Sequence, residues 1–149
     1  MFRQLKNLFE SAPPRALPGF ERRHLQVAVA ALLHEASRAD YHQGDDEYAV
    51  ARAALAELFG LGADDCVAVL EEGRARAEQL SSFYAPVTVI KRDFSLEQRV
   101  RLIEHLWRVA FANGQLNPYE DHYVRKIAHL LHVPNTQSML ARNRARPGA

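Results

Sequence analysis

The chain of 149 residues is one domain's worth of sequence, 48% hydrophobic and 25% charged, as in a globular protein. Nineteen basic against eighteen acidic side chains leave a formal charge of +1, which argues against a protein that coats nucleic acid or an anionic membrane. One cysteine, Cys66, excludes an internal disulfide framework and a cysteine-based zinc site, and the longest apolar run, residues 27–33, is far short of the ~20 residues that cross a bilayer.

The first ten residues mix charged and apolar side chains, so no signal peptide is expected and the protein reads as cytoplasmic. Phe2, Leu5, Leu8 and Phe9 lie on one side of this amphipathic segment. So short a helix is not stable alone. It is expected to dock on its own domain, or to engage a partner or a second subunit; a peripheral membrane contact is the least favoured of the three. Pro13, Pro14 and Pro18 make residues 11–18 a stiff linker.

Apolar residues then recur at three and four, the spacing of helices. A long helix is predicted over residues 20–39, with Leu25, Val29, Leu32, Leu33 and Ala36 inward. A polar turn over 40–45 leads to a second helix over 46–59, stopped by Gly60 and Gly62. Asp64 is placed to cap a third, reaching residue 81 with Val67, Leu70 and Leu80 on its apolar side. Residues 83–90 are the one β-flavoured stretch, but a lone strand has no partner. They are read as loop and short helix, with Pro86 tolerated in a first turn.

Ser95-Leu96-Glu97-Gln98 is a capping box. The helix it opens is predicted to run to Ala112, burying Leu96, Val100, Ile103, Leu106, Trp107 and Val109. In Asn117-Pro118-Tyr119-Glu120 the asparagine caps, the proline tolerates its missing N–H, and the glutamate complements the positive helix end. That helix is predicted to end near His132. Asn135 or Thr136 is expected to cap a last short one, and Arg142, Arg144 and Arg146 to fray into solvent.

The two halves match at an offset of 73: Leu33 falls on Leu106, Ala39 on Ala112, Glu47 on Glu120, Arg52 on Arg125 and Leu58 on Leu131. The same event, helix then polar turn then helix with an early glutamate, recurs at the same place. This is read as a duplicated helix-turn-helix unit whose paired helices are antiparallel neighbours.

Leu33-His34-Glu35-Ala36-Ser37-Arg38-Ala39-Asp40, Phe94-Ser95-Leu96-Glu97-Gln98-Arg99, the stretch from Leu106 through Trp107 to Gly114, and Asn117-Pro118-Tyr119-Glu120-Asp121 resemble the TerB-like family. That family includes the tellurite-resistance protein TerB and the N-terminal domain of the co-chaperone DjlA. The resemblance covers residues 20–145. It implies an all-α single domain of about seven helices with two pseudo-repeated halves, and a link by name to tellurite and stress resistance without an established reaction. On this reading residues 1–18 are an arm and linker, 19–145 the TerB-like domain, and 146–149 a flexible tail. The family turn runs alanine, acid, glycine, then a glutamate opening the next helix. Here the first turn has Asp40 but Tyr41 in the glycine's place, and the second has Gly114 but Asn113 in the acid's place.

The junctions carry the candidate metal ligands: Asp40 and Glu47 in the first half, Asn113 and Glu120 in the second. Asp40 ends a helix, where the carbonyl dipoles disfavour an anion by ~0.3–1 kcal/mol, so it wants a cation or donors. With His42, Asp45 and Asp46 nearby, these oxygens suit a divalent cation. The same residue types are what helix N-termini select, so capping is the first reading and a divalent cation the second. The spacing is no EF-hand: twelfth from Asp40 stands Ala51, where a bidentate glutamate belongs. Glu21-x-x-His24 is one motif where a dimetal bundle needs two. His129 and His132, or His122 and His129, share a helix face but want a further ligand. Cys66 lies in a first turn where a dipole lowers a thiol pKa, but Asp64 and Asp65 oppose a thiolate, so it is read as inert.

Phe83 and Tyr84 are read as packing, Trp107 as core. No catalytic triad order, nucleophile elbow, P-loop or G-x-G-x-x-G is present, so no enzyme and no cofactor is expected. The expected function is a non-catalytic cytoplasmic interaction module with a protein partner or self-association and no nucleic acid, the alternative a divalent-metal-binding or metal-sensing domain.

Overall fold

The structure is a computed structural model that describes residues 19–38, 45–112, 114 and 116–148. Every regular element among them is an α-helix: α1 (Gly19–Arg38), α2 (Asp45–Phe59), α3 (Ala63–Gln79), α4 (Tyr84–Asp93), α5 (Leu96–Phe111), α6 (Pro118–Leu130) and α7 (Asn135–Ala145). The arm over residues 1–10 and the linker over 11–18 lie outside the described residues.

The apolar run that is too short for a bilayer is the axis of the fold. Residues 27–33 sit in α1 and all seven are buried. A helix that is apolar on every side needs neighbours on every side, and α1 packs on α2, α3, α4, α5 and α6. Leu25, Val29, Leu32, Leu33 and Ala36 are buried as the spacing predicts.

The broadest of these contacts, α1 on α3, is set by small residues. A Cβ on Gly73 would overlap the Cβ of Ala30 and come within 2.8 Å of its carbonyl carbon and 2.9 Å of the Ala31 nitrogen. Glycine is therefore what lets the two backbones approach. The face of α3 is rotated from the predicted one as a result. Cys66, Val69, Leu70, Gly73 and Ala77 point inward, while Val67 is 45% exposed and Leu80 only half-buried. Asp64 is not the cap: Gly62 holds that position with no side-chain hydrogen bond, and Asp64 stands in the first turn.

Helix α4 fills the predicted loop and short helix and continues to Asp93. Pro86 lies buried in its first turn, where no intrahelical donor is lost. Helix α5 opens on the predicted capping box: the Gln98 N–H donates to Ser95 Oγ at 3.2 Å, and the Ser95 N–H donates to Gln98 Oε1 at 2.8 Å. Its first residue departs from expectation, since Leu96 is 40% exposed.

Helix α6 opens on Asn117 and Pro118 as predicted, then closes in a left-handed turn. His132 has φ 58°, and the Val133 N–H reaches back to the Ala128 carbonyl at 2.9 Å. The Arg99 guanidinium of α5 donates to the Leu131 carbonyl at 2.6 Å, satisfying an acceptor at that end. The last helix is capped by Pro134 without a side-chain bond, not by Asn135 or Thr136, and Arg142 and Arg144 belong to it.

Replacing Gly73 by alanine raises intrinsic helix propensity by about 1 kcal/mol. The overlap with Ala30 must cost more, because overpacking a tight core costs about 1–3 kcal/mol. The expected outcome is a lower urea midpoint at unchanged slope. An unchanged or raised midpoint would show that the crossing has slack.

Candidate functional site

The repeat appears as a repeat of elements. A shift of 73 residues carries the end of α1 at Arg38 onto the end of α5 at Phe111, and the start of α2 at Asp45 onto the start of α6 at Pro118. Thus α1, α2 and α3 correspond to α5, α6 and α7, and α4 joins the halves. Leu33 and Leu106 are both fully buried at the equivalent place.

Glu47 and Glu120 are also equivalent, and both are nearly inaccessible, at 4% and 1% exposed. A carboxylate so placed needs donors. Glu120 is the third residue of α6 and closes a capping box. Its own N–H donates to Asn117 Oδ1 at 2.8 Å, and the Asn117 N–H donates to Glu120 Oε1 at 3.3 Å. Glu47 is the third residue of α2 and lines a cavity of about 250 Å³ between α1, α2 and α3, with His34, Ser37, Tyr48 and Glu71. Asp40 and Asn113, the other two candidate ligands, lie outside the described residues. Among the described residues, no three histidine, cysteine or acidic side chains converge to hold a metal ion.

The remaining sequence candidates separate. His122, His129 and His132 are exposed, and His24 stacks on Phe20 with ring centroids 6.3 Å apart. Cys66 is 2% exposed and directs its thiol at the Arg52 and Leu61 carbonyls. Burial pushes this thiol's pKa up against the pull of the nearby Arg52, and Asp65 adds to the rise. Phe83 packs edge-on against Tyr123, with centroids 5.7 Å apart, whereas Tyr84 is 73% exposed and takes no part in the core.

Sequence reasoning missed a set of polar clamps around α5. Glu57 of α2 binds both Arg101 and His105. Glu104 is buried and receives Arg108 at 2.6 Å and Arg144 of α7 at 2.8 Å. Arg142 lies over the rings of Trp107 and Phe111, at 5.5 and 5.8 Å from their centroids, with its Nε 3.5 Å from Asp121 Oδ1. Two of the three arginines expected to fray are therefore tied into the domain. In the other direction, Tyr123 of α6 donates to the Leu32 carbonyl at 2.9 Å and Tyr119 to Glu35 at 2.7 Å. Burial raises the Tyr123 hydroxyl far above its usual pKa. Residues 48 apart, such as Glu57 and His105, leave no local signal in a sequence.

Between these clamps lies a groove. Leu96, Val100 and Leu140 form its apolar surface, and Glu97, Arg101 and Arg144 its edges, enclosing about 390 Å³ between α5 and α7. Leu140 is 51% exposed.

A duplicated three-helix unit packed around one buried helix, joined by a linker helix, defines the class of the protein: an all-helical domain of paired helix-turn-helix halves. The family described as tellurite resistance protein TerB matches residues 26–143, and the chain belongs to that family. A search of curated proteins returned no match. Among solved structures, the chain is similar to a protein of unknown function, PG1108, from Porphyromonas gingivalis W83. The TM-score is 0.62 at 19% identity, over 91% of this chain and 95% of that one, a likeness of fold.

The clamp on His105 predicts a pH dependence. The imidazole is 4% exposed; burial first, then Arg108 and Arg101, hold its pKa at about 4 against an ordinary 6.5. The neutral ring donates its Nε2–H to Glu57. In this window the unfolded chain takes up a proton that the folded one does not, so this residue's contribution to stability falls as pH drops from 6.5 toward 4. Urea titrations should show that loss in the native protein and a flatter profile in His105→Gln. Identical slopes in the two proteins would contradict the assignment.

Proposed function

We propose that the protein is a non-catalytic cytoplasmic interaction module, related to tellurite and stress resistance, that grips an amphipathic helix between α5 and α7. The observation that carries the reading is the groove itself. Singly scattered apolar side chains on a surface need no explanation, but Leu96 and Leu140 meet across a cleft. Its edges are positioned from below, Arg101 by Glu57 and Arg144 by Glu104, each arginine about half exposed. A helix with apolar residues at three and four, flanked by acids, matches a groove so built. No helix of the described residues is long and apolar enough to span a membrane. The tellurite link is supported by the family's description alone.

Leu140→Glu places a charge in the groove without touching the buried core. A photo-crosslinker beside position 140 should trap a partner through an amphipathic helix, and Leu140→Glu should weaken that complex at least tenfold at unchanged melting temperature. Undiminished binding, or turnover in a hydrolase or oxidoreductase screen, would overturn the reading.

A divalent cation at the first junction is the second proposal, supported by the burial of Glu47 beside His34 in a cavity. Asp40 and Glu47 would supply the oxygens there, with Asn113 and Glu120 the counterpart pair. Calorimetric titration with calcium, magnesium, manganese and zinc should give binding that Glu47→Gln abolishes. Silence for all four ions would end it.

A further inference from the structure

The overall charge of +1 hides two opposed surfaces. Helices α3 and α7 hold equivalent places in the two halves, α3 packed on α1 and α2, α7 on α5 and α6. Their charges are opposite. Helix α3 carries five carboxylates against two arginines, net −3, whereas α7 carries two arginines and no acid, net +2. The groove beside α7 has the same sign at its edge. Arg101 and Arg144 each bind a glutamate of their own chain, yet each is about half exposed. A guanidinium has five N–H donors, so each can take a second carboxylate from outside.

The outward face of α3 is what such a groove would hold. Cys66, Val69, Leu70, Gly73 and Ala77 are turned into the domain. On the far side Asp64, Ala68, Glu71 and Ala75 recur at three and four, all exposed. Val67 stands beside this stripe, one turn from Asp64 and one from Glu71, and at 45% it is among the more exposed large apolar residues. The alanines keep the face shallow, so the helix can enter a cleft. Glu71 and Glu78 are held by Arg74, and Glu72 by Arg23. Asp64 and Asp65 stand exposed in the first turn, with no ion pair among the described residues. At the groove, Glu97 is exposed in turn, and the exposed Arg76 of α3 can answer it. In its own chain α3 is fixed on α1 and α2, so its outward face meets this groove only on another copy.

We infer that the helix gripped by the α5–α7 groove is α3 of a second copy of this chain, with Val67 against Leu96, Val100 and Leu140 and Asp64 toward Arg101 and Arg144. This rests on the groove being a helix-binding site. Two different surfaces meet, so the contact is head-to-tail, and a pair joined by one such contact still offers a vacant groove and an uncovered α3. One helix face in one cleft makes a small interface, of the class below about 1,200 Å² in total, so the association is reversible and grows with concentration.

The test is sedimentation of the full chain at rising concentration, for the native protein, Val67→Lys and Leu140→Glu. The native chain should gain mass with concentration. Each variant alone should stay monomeric at unchanged melting temperature, since both positions are exposed. An equimolar mixture of the two variants should associate again and stop at one-to-one pairs, because one supplies an intact groove and the other an intact α3. If Val67→Lys lowers the melting temperature, Asp64→Asn takes its place. A native chain that stays monomeric, association that survives either substitution, or a mixture that stays monomeric would overturn the inference. A photo-crosslinker beside position 140 separates this from the groove reading, and it should join to residues 63–79 of a second copy. If the chain is monomeric while the crosslinker traps a helix of another protein, and Leu140→Glu prevents the capture, the role of α3 falls and the groove's function stands. If Leu140→Glu changes neither association nor capture, both fall.

Discussion

The close crossing of α1 and α3 at Gly73 is the constraint on which the rest of the structure depends. Alanine at residue 30 and glycine at residue 73 leave nothing between the two backbones that a methyl group could share. With α3 drawn so close, the apolar run of α1 is sealed on one side, and its other faces become the floor on which α2, α4, α5 and α6 pack. Each fully buried leucine or valine on α1 contributes about 1.5–3 kcal/mol relative to exposure. That seam is the most extensive helix–helix contact in the fold.

The second half solves the same packing problem with different chemistry. At the place of His34 it has Trp107, wholly buried, with the Arg142 guanidinium laid over the indole. Where the first half has an apolar seam, α5 and α7 are held partly by Glu104 between Arg108 and Arg144. Desolvating such charges costs much of what their attraction returns, so the clamps fix register more than they add stability. Small residues, Ser138 and Ala141, are the buried ones on α7, and the groove beside them leaves Leu96 and Val100 only partly covered.

What the sequence disclosed follows from the range of the interactions involved. The capping box at Ser95 and the cap at Asn117 join residues three apart and were legible, as were the central stripe of α1 and the registration of the halves at 73, whereas the reciprocal bond from the Asn117 N–H to Glu120 was not read. The face of α3 was misread because Val67 and Leu80 look like core until one knows that Gly73 must meet Ala30. Leu96 was misread for the converse reason: its helix period points inward, but at the first turn of α5 the neighbour is a cleft. The arginines of α7 read as a solvated end because their partners, Glu104 and Trp107, lie some forty residues away. Of the candidate site, the repeat singled out Glu47 and Glu120 as equivalent, and both are buried. Their division of labour, one closing a cap and the other walling a cavity, depends on which helices surround them, and the repeat alone carries no such information.

Native-state amide exchange tests the central role of α1 most directly. If α1 is the axis, the amides of residues 28–36 exchange only through global unfolding, with the denaturant dependence of the whole domain, and are at least as protected as any in α5 to α7. Exchange of α1 through smaller openings, while the α5 to α7 half stays protected, would contradict the account and make the second half the organising core.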